Sequence, residues 1–418
     1  MKHDLLAAEL YDQILQIPLI DPHTHIDPHR PAAKSLDDIL GYHYYTELAH
    51  SAGMEKAPLD AGFPARERVR AIIAHMDRYD NTAQYGWFLE IAREFLGWQG
   101  DRLSVRDADW LFDRAETLMA QPDWAGQVIA RTNLREIFLT NEFDDPLTGF
   151  DTTRYIPCLR TDDLVFRLDQ PAVRTRLAKA TGIEVGDSVS LRKAIGVLFR
   201  HFTRNNARAC AISLPPDFSP AAISDAALDA ALRDDSAAPA RARGAFWMLA
   251  EACRDFHLPF DLMIGVNRRV YREGVYQGQD LYDGRTSLIL YADLFNAFPT
   301  VPFCVSVLSS GINQELASYA WIFPNVITSG HWWYSNIPAS ITSDLRARLQ
   351  AVPKTKQLGY YSDMYKLEFA LPKFNMYRRI LARVLAEDYV RSGVTNEEGA
   401  LDIARHLLLD NVKRLFRI

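Results

Sequence analysis

Short apolar runs alternate with longer amphipathic stretches along most of the chain. Apolar runs at 17–20, 134–140, 155–159, 209–214, 260–265, 302–307, 325–328 and 358–362 are short enough to predict eight strands. Helical spacing separates most of them, for example over 190–206, 240–257 and 288–298, and two amphipathic segments, 374–392 and 397–415, close the chain. Between the first and second strands only helical patches occur, such as 71–76 and 87–92. That interval predicts a helical insertion. Strands alternating with helices predict parallel β/α units, and eight of them predict an α/β fold of the (β/α)8 TIM-barrel type, with chemistry at the C-terminal ends of the strands. The expected division is 1–35 for an N-terminal helix and first strand, 36–130 for the insertion, and 131–418 for the remaining barrel with its C-terminal helices. The alanine- and aspartate-rich stretch 221–242 reads as a surface helix or loop.

Bulk properties narrow the function classes. At 418 residues the chain can bury a large core, and a single barrel with an insertion fits that length. A net charge of −6 provides no basic footprint for nucleic acid. No run of about 18 or more apolar residues occurs, so no membrane span is expected. The N-terminal residues lead into an amphipathic helix rather than a signal peptide. Cys158, Cys210, Cys253 and Cys304 are widely spaced in apolar company. They predict free thiols in a reduced, cytoplasmic protein, with neither a disulfide framework nor a cysteine zinc site. Assembly into a homo-oligomer is compatible with the sequence.

Candidate chemistry begins at Asp21-Pro22-His23-Thr24-His25, at the exit of the first strand. In extended chain, residues i and i+2 face the same side, so His23 and His25 could offer two imidazoles to one divalent ion; the alternative is a solvated polar turn. Asp363 follows the last strand, which neighbours the first once a barrel closes. It either completes a His-His-Asp site, or acts as a base beside the metal, or caps the next turn. Arg160, ending the third strand, has the fork to bind a carboxylate, or it pairs with Asp162 or Asp163. Arg268 and Arg269 pose the same question. Trp332 and Trp333 could wall a sugar-sized pocket or belong to the core. Tyr44 could donate a proton or simply pack.

Several of these stretches, in order and over nearly the whole length, resemble the uronate isomerase (glucuronate isomerase) family of the amidohydrolase superfamily, metal-binding (β/α)8 barrels. Asp21-Pro-His23-Thr-His25 matches that family's histidine pair. The stretch from Gly41-Tyr42-His43-Tyr44 to Gly53-Met54 is similar to its tyrosine-bearing helix. Thr140 through Pro146, and Tyr155 through Asp162 with Arg160, match two further segments. Ser329 through Asn336 resembles its tryptophan loop, and Ser362-Asp363 its strand-eight aspartate. The resemblance implies interconversion of a hexuronate, such as D-glucuronate, with its keto form by metal-assisted proton transfer. It implies His23, His25 and Asp363 as ligands of one divalent metal, most plausibly zinc, and Asp363 and Tyr44 as catalytic groups. Arg160, Arg268, Trp332, Trp333 and His43 would meet a small sugar acid.

The departures from the family pattern fall near the expected site. Met263 stands where a strand-five histidine belongs, and Ser213-Leu-Pro-Pro replaces a strand-four Ser-Asp-His. Tyr365 replaces an arginine two residues after Asp363. Tyr42, Glu47 and His50 replace an aspartate and nearby arginines. The alternatives implied are a metal-dependent hydrolase of a sugar-acid lactone or amide, or a non-catalytic sugar-acid-binding barrel.

Overall fold

The computed structural model describes residues 2–275 and 278–418. After an N-terminal helix, Lys2–Leu15, the chain enters strand β1, Leu19–Asp21. Helices Leu36–Leu40, His43–Ser51, Ala65–His75, Ala83–Glu94, Ala108–Met119 and Trp124–Thr132 follow, with no intervening strand among the described residues. Strands β2 (Leu134–Phe138), β3 (Tyr155–Ile156), β4 (Cys158–Arg160), β5 (Ala209–Leu214) and β6 (Phe260–Ile264) come next. A small antiparallel pair, β7 (Val266–Asn267) and β8 (Leu281–Tyr282), precedes β9 (Phe303–Val307), β10 (Val326–Ser329) and β11 (Gln357–Leu358).

Pairing is parallel throughout the main strands, as β1-β2-β3 and as β4-β5-β6-β9-β10-β11. The two sheets are stitched at both seams. One expected strand is split into β3 and β4 at Pro157, which has no N–H to give the ladder. Asn141 bridges the split: its N–H donates to the Cys158 carbonyl at 2.9 Å, and its carbonyl accepts from the Arg160 N–H at 3.0 Å. At the other seam the Ser362 N–H donates to Asp21 Oδ1 at 3.0 Å, the Asp363 N–H to the His23 carbonyl at 3.2 Å, and the His25 N–H to the Met364 carbonyl at 2.8 Å. This is a parallel α/β arrangement consistent with a (β/α)8 barrel.

Strand periodicity assigns the two faces of the sheet. Leu159, Cys210, Ile212, Leu262 and Val305 pack outward with the surrounding helices. The alternate residues, including Phe138, Cys158, Ala211, Cys304 and Ile327, form a separate cluster with Leu409, Val412, Leu415 and Phe416. The end of the chain therefore plugs the enclosed face, with Phe138 and Phe416 rings 4.7 Å apart.

Two expectations need correction. Strand β1 ends at Asp21, so His23 and His25 lie in irregular chain beyond it rather than at alternate positions of a strand. Regular pairing in the last strand covers only Gln357–Leu358, because the Gly359 N–H turns to the Leu407 carbonyl at 3.0 Å. A Cβ on Gly359 would stand 2.5 Å from the Tyr377 hydroxyl. The four cysteines are free and buried. No helix among the described residues is long and apolar enough to cross a membrane.

Candidate metal centre

Where the first and last strands meet, the chain brings His23, His25 and Asp363 together. Their ligand atoms all lie within 4.8 Å of one another. His23 Nε2 is 3.5 Å and His25 Nε2 3.3 Å from the same oxygen, Asp363 Oδ1. The two imidazoles meet edge to face, centroids 5.3 Å apart. Asp363 reaches this position from a left-handed backbone, φ +54°, which an L-residue adopts only against a steric cost. The donor set fits a divalent ion. His23 Nε2 and Asp363 Oδ1 are both buried without a hydrogen-bond partner, and a buried polar atom with no partner is costly unless something else satisfies it. Two imidazoles and a carboxylate are also a set that zinc accepts.

Electrostatics hold these groups in ligand form. Burial pushes the Asp363 carboxyl up, but the close approach of the His23 and His25 imidazoles outweighs it and holds Asp363 well below the usual carboxylate range. Burial lowers His25, against the pull of Asp363, which favours the neutral imidazole a metal requires. His43 is brought down to about 3, chiefly by burial, so it too is neutral near pH 7.

The cavity above the three ligands measures about 190 Å3 and is lined by His43, Arg160, Arg268, Trp332 and Trp333 as well as by Met263 and Tyr365. Gly330, before the tryptophans, has φ +21°, and a Cβ there would meet the Tyr361 ring at 2.2 Å. The turn that carries Trp332 and Trp333 into the cavity therefore requires glycine. Met263 pairs across the ladder with Ser213 and Ser306, so the strand-five position presents a thioether to the site.

The expected substrate-facing groups arrive with partners already in place. Arg160 pairs with Asp162 at 3.2 Å and Glu142 at 3.5 Å. Arg268 pairs with Asp280 at 2.6 Å and donates to Ser213 Oγ at 3.2 Å. Tyr44 does not line the cavity; its hydroxyl donates to Asp363 Oδ2 at 3.4 Å from behind the carboxylate. Burial raises Tyr44 well above its ordinary value, so it remains a neutral donor.

Two residues that the sequence marks only as departures, Tyr365 and Tyr42, touch the site, and two others, Asp280 and Asp261, are not among those it singles out. Tyr365 stacks on His25. Tyr42 donates to the Asp363 carbonyl at 3.0 Å. Asp280 immediately precedes β8. Asp261, two residues before Met263 on the enclosed face, is buried with Oδ1 unpartnered. Only the period-two spacing of Asp261 and Met263 could have pointed inward.

No protein-family model matches the chain. The chain is 23% identical to the uronate isomerase of Nostoc punctiforme over 458 aligned positions, covering 99% of this chain and 95% of that one. Against the uronate isomerase of Corynebacterium efficiens, identity is 30% over 152 residues, which spans 34% of this chain and only 32% of that protein. The crystal structure of glucuronate isomerase from Caulobacter crescentus superposes with a TM-score of 0.91, at 18% identity, over 99% of this chain and 94% of that one. The chain is similar to uronate isomerases along its whole length. At this low identity the likeness shows the fold, whereas the substrate is a matter for this site's own residues.

Proposed function

We propose that the protein is an aldose–ketose isomerase that interconverts a hexuronate, such as D-glucuronate, and its keto form within a closed (β/α)8 barrel. The observation that carries this reading is the convergence of His23, His25 and Asp363 beneath a cavity that also exposes Arg160, in a chain with this likeness. His23, His25 and Asp363 would hold one divalent ion, zinc by the donor set. When bound, it supplies Lewis acidity to a substrate oxygen.

The chain's own residues do the rest. Asp363, held as a carboxylate, takes the proton from C2 of the open-chain sugar. The C2–H electron pair shifts into the C1–C2 bond, the proton returns to C1, and the O2 hydroxyl proton passes to O1; no water is consumed. Tyr44 steadies the Asp363 carboxylate through Oδ2. Arg160 binds the substrate carboxylate by turning its fork from Asp162 and Glu142, with Arg268 at the cavity rim. His43, Trp332 and Trp333 shape the pocket and exclude water. Proton NMR of zinc-reconstituted protein with D-glucuronate and D-galacturonate in deuterium oxide tests this. Ketose signals or deuterium at C2 are expected; neither appearing in a zinc-loaded protein overturns it.

A second reading, hydrolysis of a sugar-acid lactone or amide, draws on the pairing of both cavity arginines with carboxylates, which leaves less free positive charge for a substrate carboxylate. It predicts turnover that incorporates oxygen from labelled water and needs no aldehyde.

A further inference from the structure

We propose that Lys373 is the positioning residue for Asp363, clamping the backbone on both sides of it through the Ser362 carbonyl and the Tyr42 hydroxyl. This rests on the isomerase reading for its kinetic consequences, though not for its effect on metal binding.

Lys373 lies on the helix Ala370–Leu385, fully buried and outside the cavity. Its Nζ donates to the Ser362 carbonyl at 2.7 Å and to the Tyr42 hydroxyl at 3.3 Å. The Tyr42 hydroxyl in turn donates to the Asp363 carbonyl at 3.0 Å. The two carbonyls flanking the Asp363 Cα are thus held from one ammonium, one directly and one through Tyr42. These are the peptide groups whose orientation fixes φ and ψ of Asp363, the residue kept at φ +54°.

An ammonium is expensive to bury, and this one bonds to neutral oxygens. Compensation comes from ring faces: Trp87, Tyr44, Tyr42 and Phe369 have centroids 4.9, 5.1, 5.2 and 5.9 Å from Nζ, within cation–π range. Burial still brings Lys373 down to about 8, with Asp363 and Asp21 pulling the other way. A methionine would fill this aromatic space without the desolvation cost. A merely structural role is therefore served as well by an apolar side chain, whereas the clamp is not.

The test is Lys373→Met and Lys373→Arg, read first by zinc titration of the sugar-free protein and then by kinetics at saturating zinc. For Lys373→Met, zinc affinity is expected to fall about 10-fold or more, as when a metal ligand loses its supporting hydrogen bonds. With zinc saturating, kcat falls while KM for the hexuronate stays close to the wild-type value, and Lys373→Arg restores most of both losses. Wild-type zinc affinity together with wild-type kcat in Lys373→Met overturns the proposal. If Lys373→Met does not fold, Tyr42→Phe carries the test: it removes one arm of the clamp, a several-fold weaker zinc affinity is expected, and unchanged affinity overturns the proposal. A wild-type chain that shows no isomerisation, but whose zinc affinity drops in Lys373→Met, sinks the isomerase reading and leaves the clamp standing. A wild-type chain that takes up no zinc overturns both.

Discussion

Tyr365 stacks face to face on His25, with ring centroids 4.8 Å apart and planes 21° from parallel. The contact fixes the plane of an imidazole whose Nε2 must point at Asp363, and it covers the more exposed of the two histidines. Aromatic pairs of this kind contribute about 0.5–1.5 kcal/mol beyond the area they bury. Tyr365→Ala is therefore expected to weaken zinc binding by roughly 2- to 12-fold, at about 1.4 kcal/mol per factor of ten, and Tyr365→Phe to leave it near wild type. Competition with a chromophoric chelator measures both. Equal affinities for the alanine and phenylalanine variants would show that the stack does not orient His25.

Met263 faces the cavity from the strand position at which the family pattern carries a histidine. A thioether is a poor ligand for zinc, and an imidazole is a good one. Met263→His is expected to tighten zinc binding, by about 10-fold if a well-oriented nitrogen reaches the ion. The same chelator competition reads it, and unchanged affinity would place this strand position out of reach of the ion.

Arg160 must give up Asp162 and Glu142 to hold a substrate carboxylate. A hydrogen bond to a charged group contributes about 1.5–3 kcal/mol, so Arg160→Met should raise KM for the hexuronate by about 10- to 100-fold while zinc affinity holds. Arg160→Lys should recover only part, since an ammonium lacks the planar fork. A KM unchanged in Arg160→Met would move carboxylate recognition elsewhere in the cavity and strengthen the hydrolase reading.

The order of strands and the meeting of His23, His25 and Asp363 could be read from the chain because local signals carry them. Apolar runs mark strands, and barrel closure puts the last strand beside the first. The supporting groups left no such trace. Lys373 sits within an amphipathic helix, where a single lysine reads as solvated; its burial depends on Tyr42, Tyr44 and Trp87, all from the insertion. Asp280 pairs with Arg268 across a stretch that has no period. Pro157, visible in the sequence, divides one strand in two, yet the barrel-like path survives because Asn141 supplies the missing hydrogen bonds. Pairing geometry, unlike periodicity, is set by residues far apart in the chain.

Asp261 gives the fold a pH dependence with a definite sign. Buried beside Cys304, with Oδ1 unpartnered, its carboxyl is pushed up to about 7 by desolvation, against a lowering pull from His23. In the unfolded chain it ionises near pH 4. Between those two values the folded chain binds more protons than the unfolded one, so stability falls as pH rises through this window, and the loss is complete above the folded value. At 1.36 kcal/mol for each tenfold change in proton affinity, the total is on the order of 4 kcal/mol. Asp21 and Glu47, raised by burial to about 6 and about 8, add slopes of the same sign. His25, His43 and His331, lowered by burial, add slopes of the opposite sign at the acid end, so the Asp261 contribution is read as a difference between wild type and Asp261→Asn, which cannot ionise there. The variant should gain stability over the wild type at about pH 8 relative to their difference at about pH 4. Urea unfolding midpoints of the metal-free proteins across that range measure this, with zinc left out because a nearby cation would favour the ionised carboxylate. Parallel wild-type and Asp261→Asn curves would mean that Asp261 folds already ionised, and that its unpartnered oxygen is satisfied within the barrel.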